Sequence, residues 1–166
     1  MLRQDRPLGE GVAVSFGRDH RKIRALLDEV AGLAHASDLA GARRTFATFA
    51  AGLRRHIEIE DLLLFMPFEK RTGMADSGPT AVLRREHREI EQRLESLSQT
   101  LLPGQDAAGV ERQARALLAL LDDHARREET ILYPTCDRIF DAAEEKAAVR
   151  ALGRRGMPPA KRTRRP

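Results

Sequence analysis

The sequence has few of the residues that favour β-sheets and no pair of cysteines with which to cross-link itself. It contains no tryptophan, one tyrosine and one cysteine, and aromatic residues make up only 4% of its 166 positions. The lone cysteine, Cys136, excludes an internal disulfide, which agrees with a reducing compartment. Alanine, leucine, arginine and glutamate, which favour helices, are abundant instead. The composition therefore predicts an all-α protein.

Long hydrophobic runs are also absent. No segment approaches the roughly 20 apolar residues that a membrane-spanning helix needs. The first residues, MLRQDRPLGEGVAVSF, lack the apolar core of a signal peptide. A chain of 166 residues suits a single domain. We therefore expect a cytoplasmic, single-domain protein that has no membrane partner.

The positive formal charge of +4 comes from one end of the chain. From Arg150 onward there are seven basic residues and no acidic one. Removing these seven from the 29 basic residues leaves 22 against 25 acidic residues, a net charge of −3 for residues 1–149. This balance does not favour nucleic-acid binding by the folded part. We expect an N-terminal arm over residues 1–14 and a basic disordered tail over residues 153–166.

Apolar residues recur at intervals of three and four in four stretches, which predicts four helices with one buried face each. The spacing includes Phe16, Ile23 and Leu27 in the first stretch, Phe46, Leu53 and Leu63 in the second, Leu83, Ile90 and Leu94 in the third, and Leu117, Leu121 and Ile131 in the fourth. Short connections between long helices make neighbours antiparallel. We expect an up-down-up-down antiparallel four-helix bundle over residues 15–152, with a short C-terminal helix from Asp141 to Leu152.

Residues that begin or interrupt helices fall between these stretches. Ser37 and Asp106 are predicted to cap the second and fourth helices. Pro79 suits the start of the third helix. Pro67 and the polar stretch 72–80 close the second helix, and Pro134 ends or kinks the fourth.

The histidines and two glutamates form an internal repeat. Each half holds a lone histidine and then, 36 or 37 residues later, an HxxxE pair. The six residues are His20, His56 and Glu60 in the first half and His87, His124 and Glu128 in the second. All six lie on the predicted buried faces. Chance placement of four of the five histidines in this pattern is improbable.

The hairpin geometry brings the repeat to one height in the bundle. With turns near residues 36 and 104, the histidines lie 16 to 20 residues from their turn. At a rise of 1.5 Å per residue, that places all of them roughly 24 to 30 Å from the turns. The four histidines should therefore converge at one end of the bundle interior.

Glu60 and Glu128 are the strongest argument for a metal. An unpaired carboxylate on an apolar face costs several kcal/mol, and no lysine or arginine lies on the four faces. A histidine and a glutamate four residues apart on a helix can bind one ion or bridge two. Four imidazoles and two carboxylates favour a borderline metal such as iron, and two bridging carboxylates suit a dinuclear centre.

This pattern of a lone histidine and an HxxxE pair, present twice, resembles the hemerythrin-like family of HHE cation-binding domains. The resemblance covers residues 15 to about 140. It implies two iron ions in a carboxylate-bridged non-haem centre. The terminal ligands would be His20, His56, His87 and His124, and the bridges would be Glu60 and Glu128. Family members bind oxygen, sense oxygen or iron, or respond to nitric oxide or peroxide.

The sequence departs from the family's oxygen carriers at two positions. Their third helix carries HxxxH, whereas Glu91 stands four residues after His87. Their fourth-helix carboxylate lies five residues after the histidine, where this chain has Glu129 beside Glu128. The pattern is closer to bacterial members with four histidines. Either Glu91 completes a coordination sphere or one iron keeps an open position for a small ligand.

Two other functions compete with oxygen or nitric oxide binding and sensing. One is a di-iron redox enzyme with peroxidase, catalase-like or ferroxidase activity, because turnover cannot be read from the residues. The other is a metal-free helical interaction module, which the buried glutamates disfavour. His35 is expected on the surface, and Phe65 and Tyr133, equivalent in the two repeats, are expected in the core.

Overall fold

A computed structural model describes residues 11–153. Its four long helices are α1 (Val12–His35), α2 (Leu39–Glu60), α4 (Pro79–Thr100) and α5 (Ala107–Arg127). Three shorter helices are α3 (Met66–Thr72), α6 (Tyr133–Ile139) and α7 (Ala142–Gly153). The described residues include no strand. The all-α prediction and the four-helix bundle with a short C-terminal helix are confirmed.

The long helices form a closed ring of neighbours. Helix α1 packs against α2 and α5, and α4 packs against α5 and α2. Helix α7 lies across one end, against α1 and α2. None of the described helices combines the length and hydropathy needed to cross a membrane. Most of the predicted arm (1–14) and tail (153–166) lies outside the described residues, although Val12 and Ala13 already belong to α1.

The helix caps agree with the sequence at two of three predicted positions. The Asp106 side chain accepts hydrogen bonds from the backbone N–H groups of Ala108 and Gly109, as a cap should. Pro79 is the first residue of α4. The prediction for Ser37 is wrong, because Asp38 caps α2 by accepting from the Gly41 N–H at 2.8 Å. Ser37 instead takes a left-handed φ of 61° in the turn before it.

Two π-helical turns join α2 and α5 to the short helices that contain Pro67 and Pro134. The first covers Asp61–Phe65 and leads into α3, and the second covers Glu128–Leu132 and leads into α6. A proline has no N–H to donate, and Pro67 and Pro134 stand just after these turns. In each turn a backbone N–H bonds the carbonyl five residues back, from Met66 to Asp61 in the first. Both helices thus widen just ahead of a proline, and neither Pro67 nor Pro134 ends the helical path.

The wider turns shift the buried face by one residue. Ile131, predicted to be buried, is 53% exposed, and its neighbour Leu132 is fully buried. In the first half Leu64 is fully buried while Leu63 is only partly so. The apolar interior consists of two clusters. One surrounds Leu27 and Leu94 and the other surrounds Phe65 and Tyr133. The six repeat residues lie on the helices between the two clusters.

Candidate metal centre

The bundle brings all six predicted site residues together. His56, His87 and His124 are 3 to 5% exposed, and Glu60 and Glu128 are fully buried. The His20 side chain is 12% exposed. Two groups of four residues have ligand atoms within 4.8 Å of one another. We call the first, His20, His56, Glu60 and Glu128, position one, and the second, His87, His124, Glu60 and Glu128, position two.

Each histidine directs Nε2 towards the glutamates. At position one, Nε2 of His20 lies 3.2 Å from Glu128 and Nε2 of His56 lies 3.3 Å from Glu60. At position two, Nε2 of His87 lies 3.3 Å from Glu60. Nε2 of His124 lies 3.1 Å from Glu128. Each glutamate thus faces one histidine from each position, an arrangement suited to bridging two ions.

The other ring nitrogen of every histidine is held by a second carboxylate. Nδ1 of His56 bonds Asp19 at 2.8 Å, and Nδ1 of His20 bonds Glu129 at 2.8 Å. Nδ1 of His124 bonds Glu86 at 2.8 Å, and Nδ1 of His87 bonds Asp61 at 3.3 Å. A carboxylate accepts the Nδ1 proton, so the Nε2 lone pair is left for a metal. We call Asp19, Asp61, Glu86 and Glu129 the outer carboxylates.

The sequence did not reveal three of the outer carboxylates and left the role of the fourth, Glu129, open. The Glu129 side chain is 43% exposed and bonds Nδ1 of His20. The signal was present in the repeat. An acid directly precedes each lone histidine, Asp19 before His20 and Glu86 before His87. An acid also directly follows each bridging candidate, and extending the repeat by one residue at both ends would have found all four.

Tyr133 contacts the centre from the side of the second apolar cluster. It is fully buried, as predicted, and its hydroxyl donates a hydrogen bond to Glu60. The same hydroxyl lies 3.1 Å from Glu128 and 3.0 Å from Nε2 of His20. Its repeat equivalent, Phe65, offers no hydroxyl and stacks on His87 with ring centroids 5.1 Å apart. His20 therefore has a hydroxyl contact that its repeat equivalent, His87, lacks.

Two residues that the sequence raised lie outside the centre. Glu91 is 47% exposed and pairs with Arg54 at 2.8 Å on the surface, so it does not reach the ligand cluster. His35 is 75% exposed and pairs with Glu111 at 3.1 Å. The prediction that His35 is a surface residue is confirmed, and Glu91 does not replace the carriers' additional histidine.

Without a cation the centre holds protons. Burial disfavours a charged His56, but attraction by Glu60 and the hydrogen bond to Asp19 outweigh it and raise its pKa to about 10. Burial likewise opposes a charged His87, but its hydrogen bond to Asp61 and the negative charge of the nearby glutamates raise its pKa to about 11. Burial and Glu128 work to raise the pKa of Glu60, but His56 and His87 lower it to about 2. At neutral pH these groups form a buried imidazolium–carboxylate network.

The unpartnered atoms show that a cation fits this network. Four buried atoms of the centre form no hydrogen bond: Nε2 of His56, Nε2 of His87, Oε2 of Glu60 and Oε1 of Glu128. Unsatisfied buried polar atoms are rare, because each costs about 1–3 kcal/mol. All four belong to the side chains that form the two positions. Metal ions would give these atoms partners and would neutralise the two carboxylates.

A cavity of about 440 Å³ adjoins the centre. Its polar end includes His20, His56 and His124, and its walls include Leu53, Ile90 and Leu121. Arg24 and Asp122, both partly exposed, also line it and are joined at 2.7 Å between α1 and α5. The cavity therefore brings both apolar and charged side chains up to the histidines, beside the contact between these two helices.

Comparison with known sequences agrees with this geometry. The sequence model of the hemerythrin HHE cation binding domain matches residues 15–136, which include all six site residues. Comparisons with curated proteins and with solved structures give no significant match. The domain match and the two histidine–glutamate groups together indicate that the chain binds a metal, with iron favoured by the family. The chain belongs to the hemerythrin HHE cation-binding domain family.

Proposed function

We propose that this chain is a non-haem di-iron protein, nearer the four-histidine bacterial members of its family, that binds or senses oxygen, nitric oxide or iron. The observation that carries the proposal is the sharing of Glu60 and Glu128 between two complete four-residue groups. One ion would leave two histidines of the other group without a function. Two ions use every unpartnered atom of the centre.

The donor set supports iron over other metals. Two imidazoles and two carboxylate oxygens per position form a mixed nitrogen and oxygen site, and no thiolate lies in either group. Zinc and copper(I) sites more often include sulfur, and magnesium and calcium prefer oxygen alone. His20 and His56 would be the terminal ligands at position one, and His87 and His124 would be the terminal ligands at position two. Glu60 and Glu128 would bridge the two ions.

The surrounding residues suit a small neutral ligand. When bound, an iron pair supplies coordination positions and one-electron redox chemistry. The chain's own contribution is the cavity, in which Leu53, Ile90 and Leu121 offer apolar contacts to a small neutral ligand. The outer carboxylates hold the imidazole rings in place. We also propose a cytoplasmic location, since Cys136 is buried and unpaired.

A second function is favoured by the size of the cavity. A molecule the size of water occupies about 30 Å³ in the liquid, far less than the 440 Å³ available. Peroxide together with water would fit beside the histidines, as a peroxidase or catalase-like enzyme requires. Sustained loss of hydrogen peroxide catalysed by the iron-loaded protein would establish this enzyme, and binding without turnover would support a sensor.

Metal analysis tests the di-iron proposal. The full chain is loaded with ferrous iron under anaerobic conditions, freed of excess metal and assayed for iron. We expect about two irons per chain, and a much lower content for Glu60→Ala, which removes a bridge. The matched control is Glu91→Ala, because Glu91 lies on the surface with Arg54. A chain that retains no iron would refute the proposal, and equal losses in both variants would refute the assigned bridge.

A further inference from the structure

The two metal positions have matching ligands but different charges around them. Each position has two histidines, shares the two glutamates and is supported by two outer carboxylates. At position two the outer carboxylates Asp61 and Glu86 both have arginine partners. Arg84 lies 3.1 Å from Asp61, and Arg127 lies 2.6 Å from Glu86.

Arg84 reaches position two by a second path. Its guanidinium lies 5.3 Å from the centroid of the Phe65 ring, and that ring stacks on His87. Arg84 is also shared with Glu69 at 3.1 Å, which reduces its effect. Arg127 has Glu86 as its one carboxylate partner among the described residues. Two arginines therefore lie beside position two, and the charge of Arg127 is neutralised by fewer carboxylates than that of Arg84.

At position one, neither outer carboxylate forms an ion pair with a described arginine or lysine. Among residues 11–153, no lysine or arginine comes within 4.0 Å of the carboxylates of Asp19 or Glu129. Arg21 follows His20 directly and is exposed; its Nη1 and Oε1 of Glu129 both lie within 4 Å of the point where a Cβ at Gly17 would stand, but the two side chains do not form an ion pair. Two outer carboxylates that have no arginine partner favour the more positive ion at position one.

We propose that position one holds the more highly charged ion and that position two is reduced first. The inference rests on the proposed di-iron function. A carboxylate stabilises a trivalent ion more than a divalent one, and an arginine beside that carboxylate cancels much of the difference. With an iron pair bound and one electron supplied by an external reductant, the residues around position two would favour iron(II) there and the residues around position one would favour iron(III).

Reduction potentials test the proposal directly. The full iron-loaded chain is reduced in a spectroelectrochemical cell, in which an electrode supplies electrons through soluble mediators. We expect two separate one-electron steps. Arg127→Gln removes a cation from position two, so it should lower the first potential. Glu129→Gln removes a negative charge from position one, so it should raise the second. Either change should decrease the comproportionation constant about tenfold, which is 59 mV for one electron.

Arg115→Gln is the matched control. It removes the same charge from the same helix, but Arg115 pairs with Glu111 and lies 12 residues before Arg127, roughly 18 Å along α5. It should move neither potential. Arg84→Gln provides a second position-two variant if Arg127→Gln folds poorly. We expect it to lower the first potential by less, because Glu69 already shares Arg84.

The outcomes separate this inference from the function on which it rests. A chain that binds fewer than two irons refutes both. Two bound irons with a single two-electron step refute the charge asymmetry alone. A shift in the second potential for Arg127→Gln, or a shift as large for Arg115→Gln, would also overturn it. Iron content and helicity measured on the same samples identify any variant that has lost the centre.

Discussion

Asp19 accepts a hydrogen bond from Nδ1 of His56 at 2.8 Å, across 37 residues of sequence. Its direct neighbour, His20, lies at the same metal position as His56. Adjacent residues of α1 therefore serve one position in two ways. His20 offers a ring nitrogen to the metal, and Asp19 fixes the ring of the histidine opposite.

Removing this support should weaken metal binding without removing a ligand. Asp19→Asn keeps the shape of the side chain but loses the charge that holds the His56 proton on Nδ1. We expect iron affinity to fall about 10- to 100-fold, measured by competition with a chelator. Asp28→Asn, an exposed position on the same helix, is the control and should have no effect. Similar losses in both variants would show that Asp19 acts only through the surface charge of α1.

Loss of a terminal histidine should destabilise the loaded protein much more than the metal-free protein. A ligand that binds only the folded state stabilises it by about 2.7 kcal/mol when present at 100 times its Kd. His56→Ala and His124→Ala should lose most of this gain. It is measured as the difference between thermal unfolding with iron and thermal unfolding without iron. His35→Ala should keep it, because His35 pairs with Glu111 on the surface. An iron-dependent loss in His35→Ala would contradict the ligand set.

The metal-free protein should lose stability as the pH rises. His56 and His87 titrate near pH 10 and 11 when folded, whereas an unfolded histidine titrates near pH 6.5. Above pH 6.5 the folded chain binds more protons than the unfolded chain. The free energy of unfolding should therefore fall, by up to about 1.4 kcal/mol per pH unit for each histidine. The contribution is complete below pH 6.5 and lost above pH 11.

Urea unfolding of the metal-free protein at several pH values between 6.5 and 10 measures this slope. Iron loading at neutral pH should release protons for the same reason, which a weakly buffered solution with a pH indicator detects. A free energy of unfolding that stays constant across this range would show that the histidines are already neutral in the folded chain.

Tyr133→Phe tests whether the buried hydroxyl is a support or a ligand. The change makes the second half of the repeat match the first, where Phe65 stands. It removes the hydrogen bond to Glu60 and should cost the metal-free protein about 1–3 kcal/mol. Iron content should stay near two per chain, because all six ligands remain. A variant that folds but loses iron would place Tyr133 among the metal-binding residues.

The sequence predicted the site better than it predicted the helix ends. A period of 3.6 residues and two hairpins are sufficient to bring the six repeat residues to one height, so their convergence follows from spacing alone. The pairing of Asp19 with His56 does not follow from spacing, because it depends on how α1 and α2 are rotated about their axes relative to each other. Ser37 and Asp38 both suit a cap, and the side-chain bond to Gly41 decides between them.

Ile131 shows a different limit. Its position fits a regular α-helix, so the apolar period placed it inside, and the structure leaves it 53% exposed. The π-turn stands just before Pro134, and the effect of a proline on a helix depends on its neighbours. Kinking and widening are both compatible with the sequence at this point.

The two π-turns also determine in which direction the aromatic residues after the bridging glutamates point. Tyr133 stands five residues after Glu128, and Phe65 stands five residues after Glu60. On a regular α-helix such residues would point about 140° away from the glutamates. The additional residue in each turn returns both rings to the interior. If either turn took regular α-helical geometry with the same number of residues, its ring would rotate away from the ligands, although all six ligands would be unchanged in sequence. The π geometry of these turns is therefore as much a determinant of the centre as the identity of its ligands.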